Sequence, residues 1–92
     1  MENTEPKHYC VDLKNVKTKR QLHNRLKKYL ELPSYYGRNL DALNDILTSW
    51  QEPCKITFVN WQGAKANLAD YFASLMELLQ DVSSSELSVS WE

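Results

Sequence analysis

Two aspartates one helical turn apart, Asp41 and Asp45, are the residues of this sequence best placed to do chemistry. The segment around them, residues 40–50, repeats leucine and isoleucine at helical spacing, which predicts a helix with one apolar side. With 3.6 residues per turn, the opposite side carries an acidic stripe that consists of Asp41, Asn44, Asp45 and Thr48. Two carboxylates four residues apart on an exposed helix repel each other by ~0.2–0.5 kcal/mol, so the pattern favours a surface that offers negative charge to a positively charged partner.

The same carboxylates have other interpretations, of which a solvated helix face is the simplest. An acid/base pair would need a concave substrate pocket, and nothing in the sequence predicts one. His8 and His23 are far apart and lie near no nucleophile motif, while Cys10 and Cys54 lack the spacing of metal ligands. Two carboxylates without further oxygen ligands make a poor metal site. We therefore expect no enzyme, no cofactor and no metal.

Aromatic residues flank the predicted helix. Tyr35 and Tyr36 precede it in a turn, and tyrosine suits an interface because it offers a large contact area with few torsions and one hydroxyl. We expect one of the two to pack inward and assign Tyr35 to the interface. Trp50, at the end of the helix, either covers the core or borders the contact surface.

The segment from Leu32 to Trp50 closely resembles the signature of the barstar family, intracellular inhibitors of secreted bacterial ribonucleases such as barnase. The matching residues are Leu32-Pro33, Tyr35-Tyr36-Gly37, Asn39-Leu40-Asp41-Ala42-Leu43, Asp45, Leu47-Thr48 and Trp50. The resemblance implies a compact α/β fold and a 1:1 complex with a small basic ribonuclease. In that complex Asp45 would take the place of a substrate phosphate among cationic side chains, and it would be surrounded by Asn39, Asp41 and Thr48.

Two positions depart from the family's pattern and leave the identity of the ribonuclease open. Arg38 stands where an acidic residue is common in the best-known member, and it weakens the acidic patch locally. Asn44 stands where a tryptophan is found there, and it removes apolar contact area. The family also uses an acidic residue late in its last helix, where Glu77 and Asp81 both fit. The predicted partner-binding set is Tyr35, Gly37, Arg38, Asn39, Asp41, Asn44, Asp45, Thr48, Trp50 and Asp81.

Charge is distributed unevenly along the chain. Residues 1–30 hold eight Lys and Arg against three Asp and Glu, a balance of +5, whereas residues 31–92 hold three against nine, a balance of −6. Attraction to a basic partner must come from the second part.

Seven of the cations lie between Lys14 and Lys28 with no acid among them. We favour a solvated helix face for them; a nucleic-acid-binding module is the alternative, against which the lack of interleaved aromatics argues. A barstar-like protein whose partner is not a ribonuclease also stays open.

The elements that must position these side chains alternate between strand and helix patterns. Residues 7–13, 54–59 and 87–91 are rich in β-forming residues, and residues 51–53 and 83–85 end the helices before the last two of these strands. The order β-α-α-β-α-β requires helical crossovers, which predicts the α/β class with a three-stranded parallel sheet packed with helices on one side. We expect the third strand near a sheet edge.

Helix boundaries follow from local signals. Thr18 and Gln21 form a capping box that begins helix one, whose predicted buried stripe is Leu22, Leu26 and Leu30. Gly37 allows a sharp turn, and Asn39 is a good N-cap for helix two. Helix three spans residues 64–82, either unbroken or interrupted near its start.

Length and composition predict one domain over residues 1–92. A chain of this size buries roughly 60–65% of its unfolded surface, enough for one modest core. The sequence contains no apolar run of 18 residues, so we expect no membrane span. The start MENTEPKHYC lacks the apolar region of a secretory signal, which favours the cytoplasm.

Cys10 and Cys54 lie in strand patterns and are expected to be reduced, buried thiols; a disulfide between neighbouring strands is the alternative.

Overall fold

The computed structural model describes residues 7–50, 52–84 and 86–92 and confirms the predicted order β-α-α-β-α-β. The strands are β1 (Lys7–Asp12), β2 (Cys54–Val59) and β3 (Leu87–Trp91), and the helices are α1 (Lys19–Tyr29), α2 (Leu40–Ser49) and α3 (Gln62–Val82). Residues 1–6, which enter the prediction about a secretory signal, lie outside the described residues, as do Gln51 and Ser85 of the predicted helix ends. Among the described residues no helix is long and apolar enough to cross a membrane.

The three strands form one parallel sheet in the order β1-β2-β3, so β3 lies at an edge as predicted. The register places Val11 beside Phe58 and Phe58 beside Trp91. Because side chains alternate along a strand, this row faces the core together with Ile56, while the opposite face of the sheet exposes His8, Cys10, Lys55, Ser88 and Ser90. The helices therefore cover one face only, which confirms the one-sided arrangement.

The first helix begins and packs as its sequence predicts. Oγ1 of Thr18 accepts a 3.1 Å hydrogen bond from the amide of Gln21, and Oε1 of Gln21 accepts a 2.7 Å bond from the amide of Lys17. The first bond satisfies an amide of the first turn that has no partner within the helix, and the second reaches Lys17, one residue before the N-cap, rather than Thr18 itself as in a regular capping box. The predicted stripe of leucines is fully buried and consists of Leu22, Leu26 and Leu30.

The last helix is interrupted, as one of the two predictions for it allowed. It begins at Gln62 rather than at residue 64, and its helical geometry breaks at Ala69, where φ is 46° and ψ is −113°. After this break the helix buries Phe72, Leu75 and Leu79 against the sheet. The break thus redirects the second part of α3, whose C-terminal end lies beside α2.

The two cysteines lie on opposite faces of the sheet, which corrects the prediction that both are buried. Cys54 is buried in the core, and burial raises the pKa of its thiol. Cys10 is exposed, because the alternation along β1 that sends Val11 inward turns its neighbour to the open face. Both thiols are free, so the alternative of a disulfide between them is wrong.

Candidate protein-binding surface

Helix α2 is held at its start so that its polar side faces outward. Oδ1 of Asn39 accepts a 2.7 Å hydrogen bond from the amide of Ala42, which confirms the predicted N-cap. Leu43 and Leu47 are buried in the core. The acidic stripe lies opposite them, and all four of its members are exposed: Asp41, Asn44, Asp45 and Thr48.

No cation among the described residues forms an ion pair with the carboxylates of the acidic stripe. Within residues 7–50, 52–84 and 86–92 the only ion pair joins Lys7 and Glu31, at 3.8 Å between nitrogen and oxygen. Asp41 lies in the first turn of α2, where the helix dipole stabilises its negative charge. Thr48 donates its hydroxyl proton to carbonyl oxygens of the preceding turn, so its oxygen presents lone pairs to the outside. The stripe is therefore a free acceptor of positive charge.

The loop before α2, residues 31–38, is here named the tyrosine loop. It separates its two tyrosines as predicted: Tyr35 is 83% exposed, whereas Tyr36 is only 3% exposed. The amide of Tyr36 donates a 3.0 Å hydrogen bond to the carbonyl of Pro33, which closes a turn. The phenol of Tyr36 lies 2.6 Å from Nδ1 of His23, and burial raises the pKa of this phenol. The loop thus presents one aromatic ring to solvent and anchors the next in the core.

The turn at the end of this loop works differently from the predicted one. The left-handed conformation is adopted by Arg38, with φ 56°, and not by Gly37. A glycine fits at position 37 because a Cβ there would lie only 3.3 Å from Nδ2 of Asn39 and 3.4 Å from Cβ of Ala42. Nδ2 of Asn39 also donates a 3.2 Å hydrogen bond to the carbonyl of Gly37. Gly37 therefore allows a close approach of the capping side chain rather than an unusual backbone angle.

Arg38, the basic residue within the predicted binding set, is held by α1. Its Nε donates a 2.9 Å hydrogen bond to Oδ1 of Asn24. This contact links the end of the tyrosine loop to α1 and keeps the guanidinium next to that helix. Arg38 forms no ion pair with Asp41 or Asp45 in the described part of the chain, so it leaves the stripe unpaired.

A groove between the C-terminal ends of α2 and α3 joins four of the predicted residues. It has a volume of about 480 Å³, and its walls include Asn44, Thr48, Trp50 and Asp81. Glu77 does not line it, so the structure separates the two late-helix candidates. Two further acids line the same groove, Glu52 and Glu86. Sequence reasoning missed both, because one follows α2 and the other precedes β3, and no local pattern links them.

Trp50 covers the edge of the core, which is one of the two roles that the sequence left open, and its role in partner contact stays a prediction. It is half-buried, and its ring stacks on Tyr9 of β1 with 5.7 Å between centroids and 28° between planes. Its remaining surface lines the groove. The residue thus covers the edge of the core and borders the acidic surface at once.

This arrangement is suited to binding a cationic surface. Acidic side chains along α2 and around the groove would make charge-assisted hydrogen bonds to lysine and arginine, and the exposed ring of Tyr35 would be available for further contact. Among the described residues no group of three or more His, Cys, Asp and Glu is placed to hold a metal ion.

The fold and this surface define a class: a small α/β domain with three parallel strands and an exposed acidic second helix. The family model described as Barstar (barnase inhibitor) matches residues 7–89, and the chain belongs to the barstar family. A Bacillus subtilis (strain 168) protein named "Putative ribonuclease inhibitor YrdF" is 38% identical to it over 71 residues, which cover 76% of this chain and 75% of that protein. The resemblance is therefore confirmed and extends far beyond residues 32–50.

Proposed function

We propose that this protein inhibits a small, basic, barnase-like secreted ribonuclease of bacteria by forming a 1:1 complex that blocks its active site. The observation that carries the proposal is the acidic stripe of α2, which is exposed, fixed in place by the Asn39 cap and not paired with any cation of the described residues. Family membership and the inhibitor name of the Bacillus subtilis relative support the same class of partner.

In the proposed complex, α2 and the tyrosine loop enter the cleft that binds RNA. Asp45 takes the position of a substrate phosphate among the arginine, lysine and histidine side chains of the ribonuclease. Asp41 and Thr48 lie one helical turn to either side and extend the acceptor surface. Asn39 contributes indirectly, because its side chain is already used to cap α2 and to bind the carbonyl of Gly37.

Three of the other predicted residues enclose this centre. Tyr35 covers one border with an exposed ring, and Trp50 and Asp81 form the other border through the groove. Residues at such a border exclude water from the centre, which strengthens the charge-assisted hydrogen bonds there.

We further propose that the protein acts in the cytoplasm as an immunity protein, or antitoxin, that protects the cell producing the ribonuclease. Two free thiols are compatible with a reducing compartment. No membrane contact is part of the proposal.

The test is a titration of the protein into a panel of small basic ribonucleases while RNA cleavage is followed. The expected result is complete loss of cleavage by at least one enzyme at an equimolar ratio. If the folded protein inhibits none of them, the proposal is wrong and a barstar-family protein with another kind of partner becomes the better hypothesis. Light scattering of the mixture separately measures the stoichiometry.

A further inference from the structure

A buried histidine joins the tyrosine loop to two helices. His23 of α1 is 1% exposed, with Nδ1 2.6 Å from the hydroxyl of Tyr36 and Nε2 2.6 Å from the hydroxyl of Tyr71. Tyr36 belongs to the tyrosine loop and Tyr71 to α3. This chain of three side chains therefore fixes the loop from within the core, and no part of the proposed binding mechanism uses it directly.

The hydrogen bonds indicate which ring nitrogen carries the proton. A neutral imidazole has one N–H donor and one bare nitrogen, so one tyrosine donates to the ring and the other accepts from it. Tyr36 is buried, and in the described part of the chain its hydroxyl has no other partner than His23, so it donates to a bare Nδ1. Nε2–H then donates to Tyr71, which is half-buried and can turn its own proton toward water. We assign the tautomer from these contacts.

A second proton on His23 would disturb this arrangement in two ways. It would occupy Nδ1 and leave the hydroxyl proton of Tyr36 without a buried acceptor. It would also place a positive charge in the core, where the ionisable groups around the ring are Tyr36 and Arg38 of the loop, Tyr71 of α3 and Lys19, whose Nζ lies 4.5 Å from the centroid of the Tyr71 ring. Burial first, and the positive charge of Arg38 second, lower the pKa of His23 below its ordinary value of 6.5.

We propose that the neutral side chain of His23 positions the tyrosine loop, so that Tyr35 is presented to a partner only while His23 is unprotonated. The connection is short, because His23 anchors Tyr36, the residue next to Tyr35. His23 is thus a positioning residue that makes the loop sensitive to acid. The value of this loop for binding rests on the proposed function, whereas its dependence on His23 is a property of the free protein.

The direction of the pH effect follows from proton linkage. In the closed state Tyr36 is bonded to His23, and His23 is neutral; in the opened state this bond is broken and His23 regains its ordinary pKa of 6.5. The opened state therefore binds more protons than the closed state below pH 6.5. The loop is therefore fully held above this pH. It loosens as the pH falls from there through the lowered pKa of His23.

Amide hydrogen exchange of the free protein, measured by NMR between about pH 7 and about pH 5, tests the proposal. Protection factors remove the intrinsic pH dependence of exchange. The factor for the amide of Tyr36 should fall by up to about tenfold per pH unit, because one proton is linked to opening. The amide of Leu13, which donates to the carbonyl of Val59 at 3.0 Å, should keep its protection and serves as the internal control.

Two variants and one titration complete the experiment. His23→Gln should abolish the pH dependence of the loop, whereas His8→Gln, at the exposed histidine of β1, should retain it. In the wild type the ring signals of His23 should titrate below pH 6.5, and the fall in loop protection should level off at the pH of that titration; this result decides the matter if His23→Gln fails to fold. A loop whose protection is constant with pH, or that loosens equally in a folded His23→Gln variant, overturns the proposal. The exchange experiment uses the free protein without ribonuclease. A negative result would therefore overturn the role of His23 but would not bear on the proposed inhibition of a ribonuclease.

Discussion

Oδ1 of Asn39 lies 2.7 Å from the backbone nitrogen of Ala42, and this hydrogen bond starts α2 where its acidic stripe turns outward. Asn39→Ala removes the acceptor and should lower the free energy of unfolding by about 0.5–2 kcal/mol. Asn39→Ser keeps a capping oxygen and should stay closer to the wild type. Urea unfolding of the three proteins measures this. Equal stability of Asn39→Ala and the wild type would show that the cap does not hold the helix.

The carboxylate of Asp45 should not contribute to the folding stability of the free protein. Within the described residues this side chain is exposed and makes no hydrogen bond or ion pair. Asp45→Ala should leave the free energy of unfolding unchanged or raise it by about 0.5–1 kcal/mol, since alanine favours a helix and its introduction removes repulsion with Asp41. Thermal or urea unfolding provides the measurement. A clear loss of stability would mean that Asp45 serves the fold, and the stripe would lose its status as a binding surface.

The groove distinguishes between the two acids near the end of α3. Asp81 lines it together with Thr48, whereas Glu77 does not. Asp81→Ala should weaken binding of the ribonuclease modestly, by about 1 kcal/mol or less, because the side chain is exposed at the border of the surface. Glu77→Ala is the matched control and should bind like the wild type. The opposite ranking in a binding assay would place the contact surface on another side of α3.

Salt and charge reversal separate the inhibitor hypothesis from binding of nucleic acid by α1. Association with a basic ribonuclease should slow as salt rises, because exposed charges are screened over about 8 Å at physiological ionic strength. Replacing the exposed Lys17, Arg20 and Lys28 by glutamate should leave inhibition intact, since these side chains lie outside the acidic surface. Stopped-flow association and inhibition assays measure both effects. Loss of function in this triple variant, with function retained in Asp45→Ala, would favour the nucleic-acid-binding alternative.

Local signals were sufficient to predict most of the fold. The capping pairs of α1 and α2 depend on residues three apart in the chain, and the leucine stripe of α1 follows from helical spacing alone. Tyr35 and Tyr36 were also separated correctly into one exposed and one buried ring. These features need no knowledge of tertiary structure.

Three features were missed or wrong: a contact between distant residues, the face taken by one strand residue and the position of an unusual backbone angle. His23 meets Tyr71 across 48 positions, and nothing near either residue predicts the contact. Cys10 was placed in the core because its strand is apolar on balance, but the pleat decides which face each side chain takes. The strained angle at Arg38 was missed because a neighbouring glycine is the usual place for one.

The most direct test of the central claim compares two aspartates for binding to the inhibited ribonuclease. Asp45→Ala removes the proposed phosphate mimic, while Asp70→Ala removes an exposed acid of α3 that lies outside the acidic stripe and the groove. A desolvated carboxylate facing several cations leaves them unpaired when it is removed, so Asp45→Ala should cost about 3–5 kcal/mol, or roughly a hundredfold to several-thousandfold in Kd. Asp70→Ala should bind like the wild type. Equal affinities of the two variants, with both proteins folded, would contradict the account.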